Sequence, residues 1–105
     1  MGYNGFRFMH IISVKTLQTF WRSHPDIEQA LKAWHAEAKK SSWKTPDDIK
    51  KRYRGADFLP GNRVVFNIKG NTYRLVVKIH YNTGYVFIRF IGTHAQYDRI
   101  DAETI

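Results

Sequence analysis

The sequence contains no cysteine, and this absence excludes disulfide frameworks, thiolate nucleophiles and cysteine-based zinc sites. No apolar run approaches the roughly 20 residues that a membrane-spanning helix requires. The opening residues lack the continuous apolar stretch of a signal peptide. The chain also has no HExxH motif, no DxD pair and no acidic cluster suited to Zn²⁺ or Mg²⁺. We therefore expect a cytoplasmic protein with no membrane association, no metal site and no cofactor.

Acidic residues are few relative to basic ones. Lysine and arginine total 17 against 9 aspartates and glutamates, so the formal net charge is +8. This balance favours a polyanionic partner, either a nucleic acid or an acidic protein. A basic run at residues 50–54 is either a solvated helix end or a contact strip for ribosomal RNA. The length of 105 residues suits one domain over residues 1–105, in which residues 1–8 could form an N-terminal extension.

The N-terminal half has the apolar spacing of helices. A short strand is predicted over residues 6–13. Apolar positions three and four apart, with cap and proline signals, then predict helices over residues 17–23, 25–38 and 45–53. Residues 55–62, rich in glycine, proline and asparagine, are predicted to form a loop. Trp21 and Trp34 are expected in the core, whereas Trp43 lies in a polar stretch and its environment stays open.

The C-terminal half changes to a period of two, which is typical of strands. Alternation predicts an antiparallel meander over residues 63–68, 73–80 and 85–91, followed by a short helix over residues 94–100. One sheet face is uniformly apolar, so we expect a small two-layer α+β domain. In it the sheet, joined by the N-terminal strand, packs against two to three N-terminal helices. The opposite face is mixed and carries Asn67, Arg74, Lys78, His80 and Arg89 among Val65, Val76 and Phe87.

Arg74 and Arg89 are the first candidates for a functional site, because a planar guanidinium can hold two phosphate oxygens at once. Both are predicted on the mixed face of the sheet, together with Lys78. A strand arginine in an arbitrary protein is more often a solvated residue that balances a carboxylate. The residues alone leave both interpretations open.

His94 follows the last strand and is the side-chain type that titrates near neutrality, so it could act as a base or an acid. A lone histidine is more often a structural hydrogen-bonding residue. Tyr97 lies one helical turn further, where it could stack on a base, donate a proton, or pack as an ordinary core aromatic. Asp98 could orient His94 or cap a basic neighbour such as Arg99, and the cap is the favoured interpretation.

The ordered series of residues from Arg63 to Asp98 resembles the HigB family of toxins in type II toxin-antitoxin systems. Its most specific part is the ending Gly-Thr-His-x-x-Tyr-Asp at residues 92–98, and the resemblance extends over about residues 9–101. It implies a RelE-like fold, cleavage of mRNA on the translating ribosome, and neutralisation by a helix-turn-helix antitoxin of the HigA type. It also favours nucleic-acid contact over the solvated alternative for the two strand arginines.

Metal-free RNA cleavage can use the substrate's own 2′-hydroxyl as nucleophile. It then needs a proton acceptor, cations for the phosphorane charge, and a proton donor for the leaving 5′-oxygen. We assign catalysis to Arg74, Arg89, His94 and Tyr97, and RNA binding to Asn67, Lys69, Asn71 and Lys78. No second well-placed histidine or glutamate appears, so the general base stays open. The alternatives are an RNA-binding module without catalysis, in which Tyr85 or Phe87 stacks on bases, and an interaction protein that receives an acidic peptide or antitoxin segment.

Overall fold

The computed structural model describes residues 8–105. Its helices are α1 (Val14–Ser23), α2 (Glu28–Lys40), α3 (Pro46–Arg52) and α4 (His94–Tyr97), and a 3₁₀ turn over Pro25–Ile27 leads into α2. Its strands are β1 (His10–Ile12), β2 (Asp57–Leu59), β3 (Arg63–Ile68), β4 (Tyr73–His80) and β5 (Tyr85–Thr93). The predicted α+β class is confirmed. No helix within these residues is long and apolar enough to cross a membrane.

The five strands form one sheet in the order β1-β5-β4-β3-β2. The meander of β3, β4 and β5 is antiparallel, as predicted, and β2 pairs antiparallel with β3 at its edge. β1 pairs in parallel with β5, so the sheet is mixed. This N-terminal strand occupies residues 10–12 of the predicted 6–13, of which residues 6 and 7 lie outside the described residues.

Two predicted boundaries are wrong. The loop predicted over residues 55–62 contains β2, in which Asp57 lies opposite Val65. A three-residue edge strand is too short to show alternation, and its glycine and proline neighbours favour a loop assignment. The helix predicted over residues 94–100 ends at Tyr97, and turns follow it.

The inner face of the sheet packs against the helices, as the apolar patterns predict. Its fully buried side chains are Val64 and Phe66 of β3, Leu75, Val77 and Ile79 of β4, and Val86 of β5. The helices contribute Leu17, Leu31, Trp34, Ala38 and Ile49 to the same core. Burial of these apolar side chains is the main favourable contribution to folding.

Aromatic rings surround Phe66 in this core. Its centroid lies 5.4 Å from that of Trp34, 6.0 Å from that of Trp43 and 5.0 Å from that of Tyr53. Trp43, whose environment the sequence left open, is therefore a core residue. Trp21 packs at the edge of the core and is only partly buried, with the Lys32 ammonium 5.5 Å from its ring.

The outer face of the sheet is partly covered by the chain that follows α4. This C-terminal segment, residues 98–105, places the buried Ala102 against Val65 and Val76. The Arg63 guanidinium donates two hydrogen bonds to the Ile105 carbonyl, at 2.8 and 3.0 Å. The middle of the outer face is thus a second, smaller apolar cluster, which adds a partial layer to the two predicted ones.

The strand β5 contains a bulge. Val76 lies opposite Phe90 and Val77 lies opposite Ile88, so Arg89 is the extra residue on β5. A bulge leaves its extra residue out of the ladder and re-aims its side chain. Arg89 is accordingly exposed.

Candidate active site

Three residues of the outer face lie side by side near the strand ends. The register places Asn67 on β3 opposite Arg74 on β4, and Arg74 opposite Gly92 on β5. A Cβ atom added at Gly92 would lie 2.6 Å from the Phe90 ring and 2.7 Å from Gln96 Oε1. The glycine therefore allows α4 to fold back closely over the end of β5.

The short helix α4 is held in place by a capping box and by a main-chain hydrogen bond to the β3–β4 hairpin turn. Thr93 is its N-cap: the Thr93 hydroxyl accepts a hydrogen bond from the Gln96 amide at 3.1 Å, and Gln96 Oε1 accepts one from the Thr93 amide at 2.8 Å. This reciprocal pair is a capping box. In addition, the His94 amide donates to the Thr72 carbonyl at 3.2 Å, which joins α4 to the β3–β4 hairpin turn. His94 is therefore fixed at its backbone although its side chain is exposed.

The His94 side chain pairs with Asp98. The distance between Nδ1 and the Asp98 carboxylate is 3.0 Å, and 52% and 58% of the two side chains are exposed. An ionised carboxylate can only accept, so Nδ1 carries the proton in this pair. In neutral imidazole Nε2 is then the free acceptor. The favoured prediction that Asp98 caps a basic neighbour such as Arg99 is replaced by this pairing with His94.

Tyr97 is the last residue of the same helix, and its side chain is only partly buried. Its ring packs in the outer cluster, with its centroid 6.4 Å from that of Phe90. Burial raises the pKa of the Tyr97 hydroxyl above its usual value, and the Asp57 carboxylate raises it further, while the Arg74 guanidinium opposes both. The phenol therefore stays protonated at neutral pH and lies within electrostatic range of Arg74. Of the three predicted roles of Tyr97, packing is observed, whereas proton donation and stacking on a base stay predictions.

Arg74 is half-buried and is held by the main chain of the hairpin. Its guanidinium donates to the Asn71 carbonyl at 3.2 Å and to the Tyr73 carbonyl at 3.4 Å. A guanidinium has five N–H donors, so several remain for an anion. We call the surface made by Asn67, Arg74, His94, Tyr97 and Asp98 the α4 site.

Two predicted cations lie apart from this site. On β5 the residue opposite Arg74 is Gly92, and Arg89 lies three residues before it. This separation corresponds to roughly 10 Å along the strand. Lys78 lies four residues beyond Arg74 on β4, opposite Phe87. Between them is the row of Val65, Val76 and Phe90, over which the C-terminal segment packs. The mixed face predicted as one continuous surface is thus divided.

The remaining predicted RNA-binding residues make contacts within the protein. Lys69 forms an ion pair with Asp26 at 3.1 Å. The Asn67 amide donates to the Gly55 carbonyl at 3.2 Å. Asn71 is exposed, and its main-chain carbonyl holds Arg74.

Sequence reasoning did not single out the cap of α4 or the carboxylate of Asp57. The Thr-x-x-Gln spacing at residues 93–96 is a capping-box signature and could have indicated the cap. The effect of Asp57 on Tyr97 has no sequence signal, because it arises from a contact between distant parts of the chain. Within residues 8–105, no group of three or more His, Asp or Glu side chains is arranged to hold a metal ion.

Comparison with known proteins identifies the family. Residues 27–100 match the family model of the HigB toxin, described as the RelE-like toxic component of a toxin-antitoxin system. The chain is also similar to an mRNA interferase HigB of Escherichia coli O6:H1, with 28% identity over 94 residues that span 88% of this chain and 91% of the relative. The mRNA interferase toxin HigB of Escherichia coli K12 and the mRNA interferase HigB of Shigella flexneri are each 28% identical over 92 residues, which span 86% of this chain and 88% of each relative. This chain therefore belongs to the HigB toxin family, and the relatives named above are called mRNA interferases.

Proposed function

We propose that this protein is an mRNA interferase that cleaves messenger RNA at the α4 site. The observation that carries the proposal is the convergence of Arg74, Tyr97 and the His94–Asp98 pair at one corner of the sheet. These groups supply a cation, a protonated phenol and an imidazole with a free nitrogen. Family membership points to the same activity.

The reaction proposed for this site is attack of the RNA 2′-hydroxyl on the adjacent phosphorus. His94 Nε2 accepts the proton of the 2′-hydroxyl while the bond from O2′ to phosphorus forms. Arg74 stabilises the negative charge of the phosphorane. Tyr97 donates its proton to the 5′-oxygen as the bond from phosphorus to that oxygen breaks. The products are a 2′,3′-cyclic phosphate and a 5′-hydroxyl, and no step requires a metal ion.

The other predicted residues have binding roles in this proposal. Arg89, which was predicted from the sequence to be catalytic, is exposed and lies along β5 from the reacting position. This proposal therefore gives it contact with a neighbouring phosphate rather than the reacting one. Asn67 and Asn71 flank Arg74 and contact the RNA backbone beside it. Lys69 contributes positive charge at the hairpin turn even while it is paired with Asp26.

We also propose that cleavage occurs on the ribosome. The His94–Asp98 pair lies on an open surface, because more than half of each side chain is exposed. An open site does little by itself to fix the 2′-hydroxyl in line with the leaving oxygen, and positioning of this kind contributes strongly to rate. A ribosome that presents the mRNA supplies this positioning. The net charge of +8 favours binding to the ribosome's polyanionic surface.

The proposed partner that neutralises the toxin is a helix-turn-helix antitoxin of the HigA type, acting in the cytoplasm. Support comes from the family, which is defined as the toxic component of a toxin-antitoxin system. Co-expression with a helix-turn-helix antitoxin of the HigA type should restore growth and yield a stable complex on size-exclusion chromatography. A toxin that stays active and uncomplexed in its presence would contradict this assignment.

Primer extension in a reconstituted translation mixture tests the proposed cleavage. Wild-type protein should cut a translated message and leave the same RNA intact when ribosomes are omitted. Arg74→Ala should reduce the cleavage rate by about 10²- to 10³-fold, because it removes a cation that stabilises transition-state charge. Arg22→Ala, which alters an exposed arginine on α1, is the matched control and should cut like wild type.

The chemistry of the cut ends tests the mechanism separately. Fragments with a 5′-hydroxyl can be labelled directly by polynucleotide kinase, and the proposal requires such ends. Fragments that carry a 5′-phosphate instead would show that water, rather than the 2′-hydroxyl, is the nucleophile. RNA binding without any cut would favour the RNA-binding module without catalysis. The exposed side chains of His94 and Asp98 are also compatible with that function.

A further inference from the structure

A second surface lies on the outer face of the sheet, on the other side of the C-terminal segment from the α4 site. It carries four rings, which we call the aromatic strip: His10, His80, Tyr85 and Phe87. The centroid of Tyr85 lies 5.1 Å from that of His10 and 6.1 Å from that of Phe87, and His80 lies 5.1 Å from Phe87. The rings thus form a continuous row across β1, β5 and β4.

The strand register places the aromatic strip on the outer face. Lys78 lies opposite Phe87, and His80 lies opposite Tyr85. On β4 both residues alternate with Ile79, which is buried on the inner face. Tyr85 is 40% exposed, and His10 and His80 are exposed as well. These three rings are therefore available to a ligand, and Phe87 between them is partly buried.

The strands that carry the aromatic strip are basic, and the nearby carboxylates lie on the C-terminal segment instead. Strands β1, β3, β4 and β5 contain no aspartate or glutamate. Lys78 pairs with Phe87 across the strands, and Arg89 lies two residues after Phe87 at the bulge. Arg63 on β3 lies opposite Lys78 and adds a further positive charge. Its guanidinium already donates hydrogen bonds to the Ile105 carbonyl. An anionic ligand meets cations here and no opposing carboxylate on these strands.

We propose that the aromatic strip binds the bases of single-stranded RNA by stacking, while Lys78 and Arg89 contact its phosphates. Exposed rings on a sheet, bordered by cations, have the chemistry that proteins use for unpaired nucleotides. The cations Lys78 and Arg89 beside the rings favour an anionic ligand such as RNA over a neutral protein surface. The inference rests on the proposed function in taking RNA as the ligand, and it adds a binding site outside the α4 site.

The position of the aromatic strip defines which nucleotides it holds. Phe87 lies opposite Lys78, four residues from Arg74 on β4, which corresponds to roughly 13 Å along the strand. An RNA strand that places one phosphate at Arg74 can cross the C-terminal segment and reach the aromatic strip. The aromatic strip therefore holds nucleotides that flank the cleaved bond and leaves the chemistry to the α4 site.

Fluorescence anisotropy with a labelled single-stranded oligonucleotide tests this inference. The probe is a 2′-O-methyl RNA, which lacks the nucleophile and stays intact with the full-length chain. A Tyr85→Leu/Phe87→Leu double variant should bind it at least about 10-fold more weakly, because loss of a single stacked ring typically weakens binding by about 5- to 150-fold. Phe58→Leu is the matched control: Phe58 is 37% exposed but pairs with the inner-face residue Val64, so its variant should bind like wild type.

Salt dependence supplies a second readout. Lys78→Met should reduce the slope of log Kd against log salt concentration by about 0.7, the value for loss of one phosphate contact on a single strand. Unchanged binding by the double variant, with thermal unfolding like wild type, would overturn the inference. So would a wild-type protein that fails to bind the probe at low salt, or a double variant that loses only antitoxin binding.

Primer extension with the same variants separates this inference from the proposed function. If wild type cuts mRNA and the double variant binds and cuts equally well, the aromatic strip has no role in RNA binding and cleavage stands. If wild type makes no cut but the double variant binds RNA more weakly, the result supports RNA binding by the aromatic strip and contradicts the proposed cleavage of mRNA. Reduced binding together with reduced cleavage supports both.

Discussion

At the scale of single residues, Tyr97 combines two demands that usually conflict. Its ring stabilises the outer cluster by packing near Phe90, while its hydroxyl must remain available to a substrate. Partial burial and the Asp57 carboxylate raise the pKa of the phenol, which keeps it protonated at neutral pH but makes it a weaker acid. The Arg74 guanidinium lowers the same pKa and so favours release of the proton. In this proposal the packing fixes the position of the donor, and Arg74 favours its ionisation.

Tyr97→Phe should separate these two contributions, because it removes the hydroxyl and keeps the ring. Cleavage in single-turnover assays should slow by about 10²- to 10⁴-fold, the usual contribution of a positioned acid. The thermal unfolding midpoint should stay close to that of wild type, because the ring contacts remain. Cleavage at the wild-type rate would remove Tyr97 from the chemistry and leave it a packing residue.

At the scale of elements, the position of His94 depends on a helix of only four residues. Helices this short are unstable on their own, so α4 depends on its capping box and on the link from the His94 amide to Thr72. The β3–β4 hairpin turn and α4 thus form one structural unit. The Arg74 guanidinium, through the Asn71 carbonyl, and the His94 amide, through the Thr72 carbonyl, are both tied to this unit.

Thr93→Ala should therefore affect cleavage more than overall stability. Loss of an N-cap side chain costs about 1 kcal/mol in the free energy of unfolding, measured by urea titration. Cleavage should fall by at least about tenfold, because α4 frays and His94 leaves its position. The control is Ser13→Ala at the N-cap of α1, where the Ser13 hydroxyl accepts a hydrogen bond from the Lys15 amide at 3.2 Å. It should cost a similar amount of stability and leave cleavage unchanged. Equal cleavage by the two variants would mean that the cap of α4 does not position His94.

The long elements could be predicted from the sequence because each repeats its pattern several times. The six to nine residues of β3, β4 and β5 show alternation directly, and α2 shows its apolar stripe over 13 residues. Short elements lack this repetition. The three residues of β2 gave no period, and the parallel pairing of β1 with β5 depends on a contact between chain ends that no local pattern encodes.

The candidate site could be predicted in composition but only partly in arrangement. Alternation placed Arg74 and Lys78 on the same face, and the register agrees. It could not show that Arg89 lies at a bulge, since a bulge shifts the alternation by one residue within the strand. The alternation also could not show that the C-terminal segment covers Val65 and Val76. That segment has only isolated apolar residues, such as Ala102, and therefore no periodic pattern.

At the scale of the whole molecule, one polar cluster joins the helical layer to the sheet near the α4 site. The Tyr73 hydroxyl donates to both carboxylate oxygens of Asp26 at 2.8 Å, and Lys69 pairs with the same carboxylate. Asp26 belongs to the 3₁₀ turn before α2, whereas Lys69 and Tyr73 flank the hairpin turn. This cluster holds the hairpin against the helices, and Lys69 takes part in it as well as in the proposed RNA contact.

Acid should weaken this connection before it affects the apolar core. The Tyr73 hydroxyl, and after it Lys69, lowers the pKa of the Asp26 carboxyl from its usual value of 3.8. A group with a lowered folded-state pKa stabilises the fold above its unfolded-state pKa, and this contribution is lost as pH falls through the folded-state value. Asp26→Asn should therefore be less stable than wild type at about pH 7, and the difference should shrink as the pH falls below 3.8 and through the folded-state pKa.

Urea unfolding at several pH values measures this difference, and Tyr73→Phe provides its partner in a double-mutant cycle. Tyr73→Phe keeps the buried ring and removes only the donor, so it should lose part of the same pH-dependent stability. The double variant should lose less than the sum of the two single losses, because both single changes break the same hydrogen bonds. Additive losses, or a difference between wild type and Asp26→Asn that persists unchanged in acid, would show that the carboxylate does not hold the hairpin against the helices.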